Sequence, residues 1–302
     1  DPTQSAPVLG YHLRRAARIR GIPVIVVDPR RTDLIPFSSL WLPLKPQGDS
    51  ELVHGIASIL LRKGSYDRDF IGRFTSGFQE YRESLSSLDF ERVCLLTGLE
   101  VKAMEEAAEL LAGKKIAFVI GHGISLQRYG LQTMDAIINL ALLTGSAGSR
   151  GVGCFGIVRE NNEAGAWDMG TVPDALPGRQ ALSDNAARKH WERAWRAHLS
   201  LDPGLSVARM MMEAEKGNLK ALYVMGENPV RALPGSHRIS MAMKNLKFLV
   251  VQDILETETT RLADVVLPGA AFSEKGGSFT NLEGRIQSFE PAIPLPGEAK
   301  PD

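Results

Sequence analysis

Two predicted strands end in an acidic residue, and these two residues suggest ligand binding. A run of mostly β-branched residues at 22–27 is followed by Asp28, and a similar run at 248–251 leads to Asp253. In open α/β sheets, an acidic side chain after a strand commonly accepts hydrogen bonds from the ribose or base of a nucleotide. Arg30, close to Asp28, suits the phosphates of such a ligand. The pattern predicts nucleotide binding, although Asp28 also fits the role of a helix cap.

Further turns follow predicted strands and could meet the same kind of ligand. They lie at residues 1–6, 48–49, 121–125 and 226–229. Backbone N–H groups are unpaired where helices begin, and the helix dipole there favours anions. The sequence contains neither a Gly-x-Gly-x-x-Gly fingerprint nor a Walker A sequence, which argues against simple NAD or ATP binding. A phosphate-bearing ligand of another kind is therefore expected.

The histidines and cysteines do not have the spacing of metal ligands. The six histidines are scattered along the chain, at His12, His54, His122, His190, His198 and His237. The two cysteines, Cys94 and Cys154, are too few for an iron–sulfur cluster, which usually takes four. His122 stands between two glycines after a predicted strand, where it could face a ligand or serve a structural role. We predict no metal site within these residues.

Composition excludes several classes of protein. The 302 residues carry 35 basic and 35 acidic side chains, so the net charge is zero and a nucleic-acid partner is not expected. The sequence has no apolar run of the roughly 18 residues that a membrane-spanning helix needs. Low cysteine content favours a reducing, cytoplasmic setting. The length suggests two domains, because domains average roughly 150 residues.

Helices and strands alternate through most of the chain, which predicts an α/β fold with mostly parallel strands. A glycine-rich stretch at residues 145–156 interrupts the pattern. We therefore expect an α/β domain at residues 1–158, lacking its first strand, and a second at residues 159–302.

The two predicted domains contain what looks like one repeated unit. Pro2 precedes Asp28 by 26 residues, and Pro229 precedes Asp253 by 24, with a helix and a strand between them in each case. We expect a pseudo-twofold repeat in which residues 1–45 superpose on residues 226–270. The alternative is the general likeness of any two βαβ units.

A series of motifs resembles the molybdopterin oxidoreductase superfamily. The matching segments, in family order, are residues 26–32, 121–124, 139–145, 158–162, 165–170, 223–229, 250–254, 257–259, 263–268 and 280–287. The resemblance implies two Rossmann-like parallel-sheet domains related by a pseudo-twofold repeat, as in formate dehydrogenase and DMSO reductase.

Two branches of that superfamily compete. The first is the formate dehydrogenase alpha subunit, which binds bis-molybdopterin guanine dinucleotide and oxidises formate to carbon dioxide. The second is the large iron–sulfur subunit of bacterial NADH–quinone oxidoreductase, in which this part serves as a scaffold for electron transfer from NADH towards quinone.

Departures from the formate dehydrogenase motifs favour the large iron–sulfur subunit of NADH–quinone oxidoreductase. Leu126 replaces an expected glutamine, although Gln127 follows it, and Glu160 replaces an expected Gly-Gln pair. Residues 281–285 also look more like the form found in the NADH–quinone enzyme. Formate dehydrogenase remains the alternative, and a NAD-binding or thiamine-type domain is a third, less favoured class.

The resemblance also implies site residues. The cofactor-binding positions would be Gln4, Ser5, Asp28, Arg30, Gly48, Asp49, His122, Glu227, Asn228, Gln252 and Asp253. Arg159 matches an arginine that helps to hold substrate in formate dehydrogenases, but it could equally form a structural salt bridge. The resemblance places iron–sulfur clusters in an N-terminal part outside these residues. It also implies partner subunits of a redox complex, which could hold the protein at the cytoplasmic face of the inner membrane.

The polypeptide of residues 1–302 alone is expected to be inactive and to purify colourless, because the cluster ligands are not in it. Elemental analysis should find neither iron nor molybdenum in stoichiometric amount. One iron-containing cluster per chain would contradict this expectation, since two thiols cannot supply four ligands.

Overall fold

The computed structural model describes residues 1–157 and 161–302, in two compact units, Asp1–Glu160 and Asn161–Asp302. Arg159, the predicted catalytic residue, and Glu160 lie outside the described residues.

Unit one alternates short strands with helices. In chain order its elements are α1 (Pro2–Ser5), α2 (Pro7–Arg20), β1 (Ile25–Val27), a 3-10 helix (Ile35–Phe37), β2 (Leu40–Leu42), α3 (Asp49–Arg62), α4 (Arg68–Phe74), α5 (Phe78–Ser86), α6 (Phe90–Thr97), α7 (Val101–Leu111), β3 (Ala117–Gly121), α8 (His122–Ser125), α9 (Gly130–Leu143) and β4 (Gly153–Ile157).

Unit two begins with a helix and two short strands before its parallel sheet. Its elements are α10 (Glu163–Asp168), β5 (Ala175–Leu176), β6 (Gln180–Ala181), α11 (Asn185–Trp195), α12 (Val207–Glu215), β7 (Ala221–Met225), α13 (Pro229–Ala232), α14 (Ser236–Lys244), β8 (Phe248–Asp253), a second 3-10 helix (Thr260–Leu262), β9 (Val265–Pro268), β10 (Gly277–Thr280) and β11 (Ile286–Phe289).

Parallel pairing joins the strands that precede the proposed binding turns. β1 pairs with β2, β3 pairs with β4, and β8 lies between β7 and β9. The predicted α/β fold with parallel strands is confirmed. Unit one differs from the expected single sheet, because its described strands form two separate pairs. The chain between β2 and β3 forms helices α3 to α7, so no further strand lies there to join the pairs.

The core of unit one is built around α3. Leu52, Ile56 and Leu60 recur at four-residue spacing on one face of this helix and are almost fully buried. Met104 of α7 is fully buried in the same core. Gly55 permits this close packing, because a Cβ there would lie 2.8 Å from the Met104 sulfur. Burial of each such side chain stabilises the fold by about 1.5–3 kcal/mol.

The core of unit two is built on its three-stranded sheet. Leu249 and Val251 of β8, together with Val224 of β7, are buried. Ile239 and Met243 of α14 pack in the same cluster. This packing fixes β8 in the centre of the sheet, so its carboxyl end at Asp253 is positioned by the core.

The two proposed copies share their order of elements. Each has a one-turn helix that begins at a proline, then a longer helix, a strand, a 3-10 helix and a second parallel strand. The acidic residue stands at the same place in each copy, and its side chain accepts a hydrogen bond from a backbone N–H one or two residues later. The predicted repeat is supported at this local level.

The Gly55→Ala variant is expected to be less stable by about 1–3 kcal/mol, because overpacking forces Met104 or the backbone to move. Urea unfolding followed by circular dichroism measures the change. Gly72→Ala is the matched control, since a Cβ on this glycine of α4 meets no atom within 4 Å. A loss in the control equal to that in Gly55→Ala would contradict the packing explanation.

Candidate functional site

Asp28 closes the turn that follows β1. Its Oδ1 accepts a hydrogen bond from the Arg30 backbone N–H at 2.8 Å. The Trp41 indole, from the paired strand β2, donates to the Asp28 carbonyl at 2.9 Å. The helix-cap alternative is wrong, because the next helical residues are those of the 3-10 helix at Ile35–Phe37. Arg30 Nε forms an ion pair with Asp28 Oδ1 at 3.6 Å, and the Arg30 side chain is 70% exposed, so its terminal N–H groups are accessible to an anion.

Gly48 and Asp49 form the start of α3. Gly48 is buried, and a Cβ there would lie 3.0 Å from the Leu96 carbonyl oxygen and from the Thr97 Cα. The preceding residue, Gln47, has a φ of 70°, a left-handed conformation that is uncommon for residues other than glycine. The helix N-terminus therefore follows a tightly constrained turn.

A glutamine in the loop after β3 contacts this helix start. Gln127 Nε2 donates to Asp49 Oδ2 at 2.8 Å. Leu126, which occupies the position where the resemblance expected glutamine, is 75% exposed. The amide is therefore supplied one residue later. Gln127 ties the predicted binding turn at residues 121–125 to the one at residues 48–49.

His122 begins the one-turn helix α8 and is exposed. Ser125 Oγ donates to the His122 carbonyl at 2.8 Å and lies 3.1 Å from its Nδ1. At the start of the chain, Gln4 and Ser5 are exposed in α1, and Ser5 Oγ donates to the Asp1 carbonyl at 3.0 Å. These polar groups lie on turns that also leave their side chains open to solvent.

The turn after β7 carries Glu227 and Asn228. Glu227 is exposed, and its Oε1 accepts the Asn228 backbone N–H at 3.1 Å. Asn228 Nδ2 donates to Glu258 Oε2 at 2.7 Å, and Asn228 Oδ1 accepts from Thr259 Oγ1 at 2.7 Å. The hydrogen bond from Asn228 lowers the pKa of Glu258, with smaller contributions from the positive charge of Arg231 and of a second arginine. The turn is therefore fastened to the segment that follows β8.

Gln252 and Asp253 end β8, but their side chains have different surroundings. Gln252 is buried; its Oε1 accepts from the Tyr223 hydroxyl, and its Nε2 donates to Asp302 Oδ1 at 2.8 Å. Asp253 Oδ1 accepts from the Ile254 backbone N–H at 2.7 Å. Within the described part of the chain, the other Asp253 carboxylate oxygen has no such partner, so it can accept hydrogen bonds from a ligand.

Two cavities meet at Asp253. One is an open depression of about 380 Å³ and the other an open depression of about 550 Å³. Asp253, Ile254, Leu255 and Pro268 line both of them. Arg261 lines the smaller cavity. The carboxyl edge of the unit-two sheet therefore offers an acidic acceptor with space on two sides.

The family is decided by the match along the chain. A family model described as molybdopterin oxidoreductase covers residues 1–302. The chain belongs to the molybdopterin oxidoreductase family. The resemblance seen in the sequence motifs is thereby confirmed.

Curated relatives are similar to this protein over nearly its whole chain. The F420-dependent formate dehydrogenase subunit alpha of Methanocaldococcus jannaschii is 36% identical over 297 residues, which are 98% of this chain and 44% of that protein. Formate dehydrogenase H of Escherichia coli is 31% identical over 304 residues, which cover all of this chain and 42% of that protein. The chain thus spans less than half the length of these curated relatives.

The fold agrees with a solved structure. Acetylene hydratase from Pelobacter acetylenicus has a TM-score of 0.72 and 21% identity, over 95% of this chain and 42% of that chain. At this identity the likeness concerns the fold, and it confirms the predicted fold class.

The family implies a molybdenum–pterin cofactor, and the described residues of each unit offer groups that fit the polar parts of such a cofactor. Asp253 supplies an acceptor between two cavities, and exposed Arg30 supplies positive charge in unit one. A Cβ on Gly226 would meet no atom within 4 Å, so the turn before Asn228 faces open space. Each unit by itself therefore carries polar groups at the ends of its parallel strands that a ligand could contact.

The described ranges contain neither a metal-ligand cluster nor a membrane-spanning helix. Residues 1–157 and 161–302 hold no group of three or more His, Cys, Asp or Glu side chains placed to bind a metal ion. Nor does any helix within those ranges have the length and apolar character needed to cross a membrane.

The residues that hold the turns were missed by sequence reasoning. Trp41, Gln127, Tyr223 and Thr259 each bond a predicted site residue from 13 to 78 positions away in the chain. Thr259 lay within a recognised family motif, but nothing in its spacing connected it to Asn228.

The Gln127→Leu variant is expected to loosen the loop at residues 121–127, because its hydrogen bond to Asp49 is lost while the side-chain volume is nearly kept. Net hydrogen bonds of this kind contribute about 0.5–1.5 kcal/mol. Amide hydrogen exchange in this loop should speed up about three- to tenfold. Gln132→Leu, at an exposed position of α9, is the control. Unchanged exchange in Gln127→Leu would show that the contact does not hold the loop.

Proposed function

We propose that the chain is part of the catalytic subunit of a formate dehydrogenase that binds bis-molybdopterin guanine dinucleotide. The observation that carries this proposal is the similarity to formate dehydrogenase alpha subunits over 98% of the chain. Those relatives favour the formate alternative over the NADH–quinone subunit that the motif departures had favoured. Gln127 weakens one of those departures, because it supplies an amide next to Leu126.

Each unit is proposed to hold one nucleotide portion of the cofactor. In unit two, Asp253 accepts hydrogen bonds from the base or ribose, and the turn of Glu227 and Asn228, which follows the neighbouring strand β7, contacts another part of the nucleotide. In unit one, Asp28 and Arg30 serve the corresponding roles. The duplicated order of elements supports this assignment, since two nucleotides need two similar sites.

The remaining unit-one positions extend that binding surface in the same proposal. Gly48 and Asp49 start α3 after a constrained turn, and His122 starts α8. Gln4 and Ser5 lie on α1.

Gln252, in unit two, acts indirectly. Both ends of its amide are bonded within the protein, so it fixes the carboxyl end of β8.

When bound, the cofactor supplies a metal that takes up two electrons as formate becomes carbon dioxide and a proton. The proposed contribution of Arg159 is to hold the formate carboxylate through charge-assisted hydrogen bonds. The iron–sulfur clusters that pass the electrons on are assigned to other parts of the protein. The intact protein is proposed to work in the cytoplasm with partner subunits.

The full-length protein, purified without oxygen, should contain molybdenum or tungsten and release GMP on acid hydrolysis. It should reduce a viologen dye with formate. Asp253→Asn is expected to retain at least tenfold less guanylate, because a charge-assisted hydrogen bond contributes about 1.5–3 kcal/mol. Metal analysis, nucleotide chromatography and dye reduction provide the measurements.

Asp69→Asn, at an exposed position of α4, is the matched control and should load normally. Full-length protein without guanylate would refute the cofactor assignment. Loaded protein that does not turn over formate would refute the formate assignment alone.

A further inference from the structure

Thr259 is a fully buried residue between β8 and the second 3-10 helix, and its hydroxyl reaches the turn after β7. Thr259 Oγ1 donates to Asn228 Oδ1 at 2.7 Å. It also accepts from the Val230 backbone N–H at 3.4 Å. One hydroxyl therefore bonds two groups of a turn that lies about 30 residues earlier in the chain.

The hydrogen bond that the Thr259 hydroxyl accepts is important because α13 begins at this turn. The first N–H groups of a helix have no partner within it, and Asn228 at the N-cap makes no side-chain hydrogen bond to them. Val230 is buried, so an unpaired N–H there would be costly. Thr259 supplies the missing acceptor from another segment of the chain.

The donor role fixes the orientation of the Asn228 amide. Because the threonine hydroxyl donates to Oδ1, the amide nitrogen faces Glu258, whose carboxylate accepts from it at 2.7 Å. Reversing the amide would place its nitrogen against the hydroxyl and its oxygen against a carboxylate. The two neighbours thus select one orientation of the side chain.

Only a hydroxyl can donate and accept at this position at once. Valine has nearly the same shape as threonine but can do neither, and serine keeps both functions. The position therefore requires a hydroxyl group, and not only a side chain that fills the space.

We propose that Thr259 is a positioning residue that holds the turn of Glu227 and Asn228 in the conformation that receives the nucleotide portion of the cofactor. This inference rests on the proposed function. Thr259 acts through Asn228 and the N-terminus of α13, without touching the ligand.

The test uses the full-length protein purified with its cofactor. In Thr259→Val, loss of guanylate during dialysis should be about tenfold faster than in the unsubstituted protein, while Thr259→Ser stays within about twofold, since loss of a buried hydrogen-bonding partner costs about 1–3 kcal/mol. Amide exchange of the peptide that contains Val230 should also speed up in Thr259→Val and remain slow in Thr259→Ser.

The matched control is Thr133→Val. Thr133 is also almost fully buried, but its hydroxyl donates to the Tyr129 carbonyl at the start of α9, in unit one. The control should lose thermal stability without faster release of guanylate. If Thr259→Val does not fold, Thr259→Ser and Thr259→Ala replace it, because both lack the methyl group and only alanine lacks the hydroxyl.

The outcomes separate the two proposals. Full-length unsubstituted protein without guanylate would overturn the proposed function and this inference with it. A loaded protein whose Thr259→Val variant keeps guanylate as long as Thr259→Ser would overturn the role of Thr259 alone. Faster release in Thr133→Val equal to that in Thr259→Val would also overturn it, because the effect would then reflect general destabilisation.

Discussion

Parallel strand pairing brings the polar turns of this protein to one edge of each sheet, and those turns then need hydrogen-bonding partners of their own. β7, β8 and β9 all end at the same edge, where polar groups follow the strands. A ligand with phosphates and a ribose can use such groups only if the turns keep a fixed conformation. The partners that fix them come from neighbouring connections.

The same arrangement recurs at three turns. Trp41 bonds the backbone of Asp28, Gln127 bonds the side chain of Asp49, and Thr259 bonds Asn228. Each contact joins two segments that lie between 13 and 78 residues apart in the chain. A net contribution of about 0.5–1.5 kcal/mol from each hydrogen bond is small against the whole fold. Its effect is local, because each bond ties one turn to another segment of the chain.

A departure from a family motif is weaker evidence about function when the structure shows that a neighbouring residue supplies the missing group. Leu126 in place of glutamine favoured the scaffold branch of the family, yet the adjacent Gln127 reaches Asp49. A one-residue shift in a loop can therefore preserve a contact that a motif comparison counts as lost. Glu160, a second departure, lies outside the described residues and still bears on the role proposed for Arg159.

The sequence by itself determined the α/β class, the parallel strands and the family, because these depend on local periodicity and on motifs that stay in order along the chain. It also predicted Asp28 and Asp253 as binding residues, since an acidic residue at the end of a predicted strand is visible without any structure. Only the tertiary structure divided the unit-one strands into two pairs and joined Thr259 to Asn228 and Gln127 to Asp49. Contacts over 31 and 78 residues depend on how helices pack and strands pair, and residue spacing alone carries no record of them.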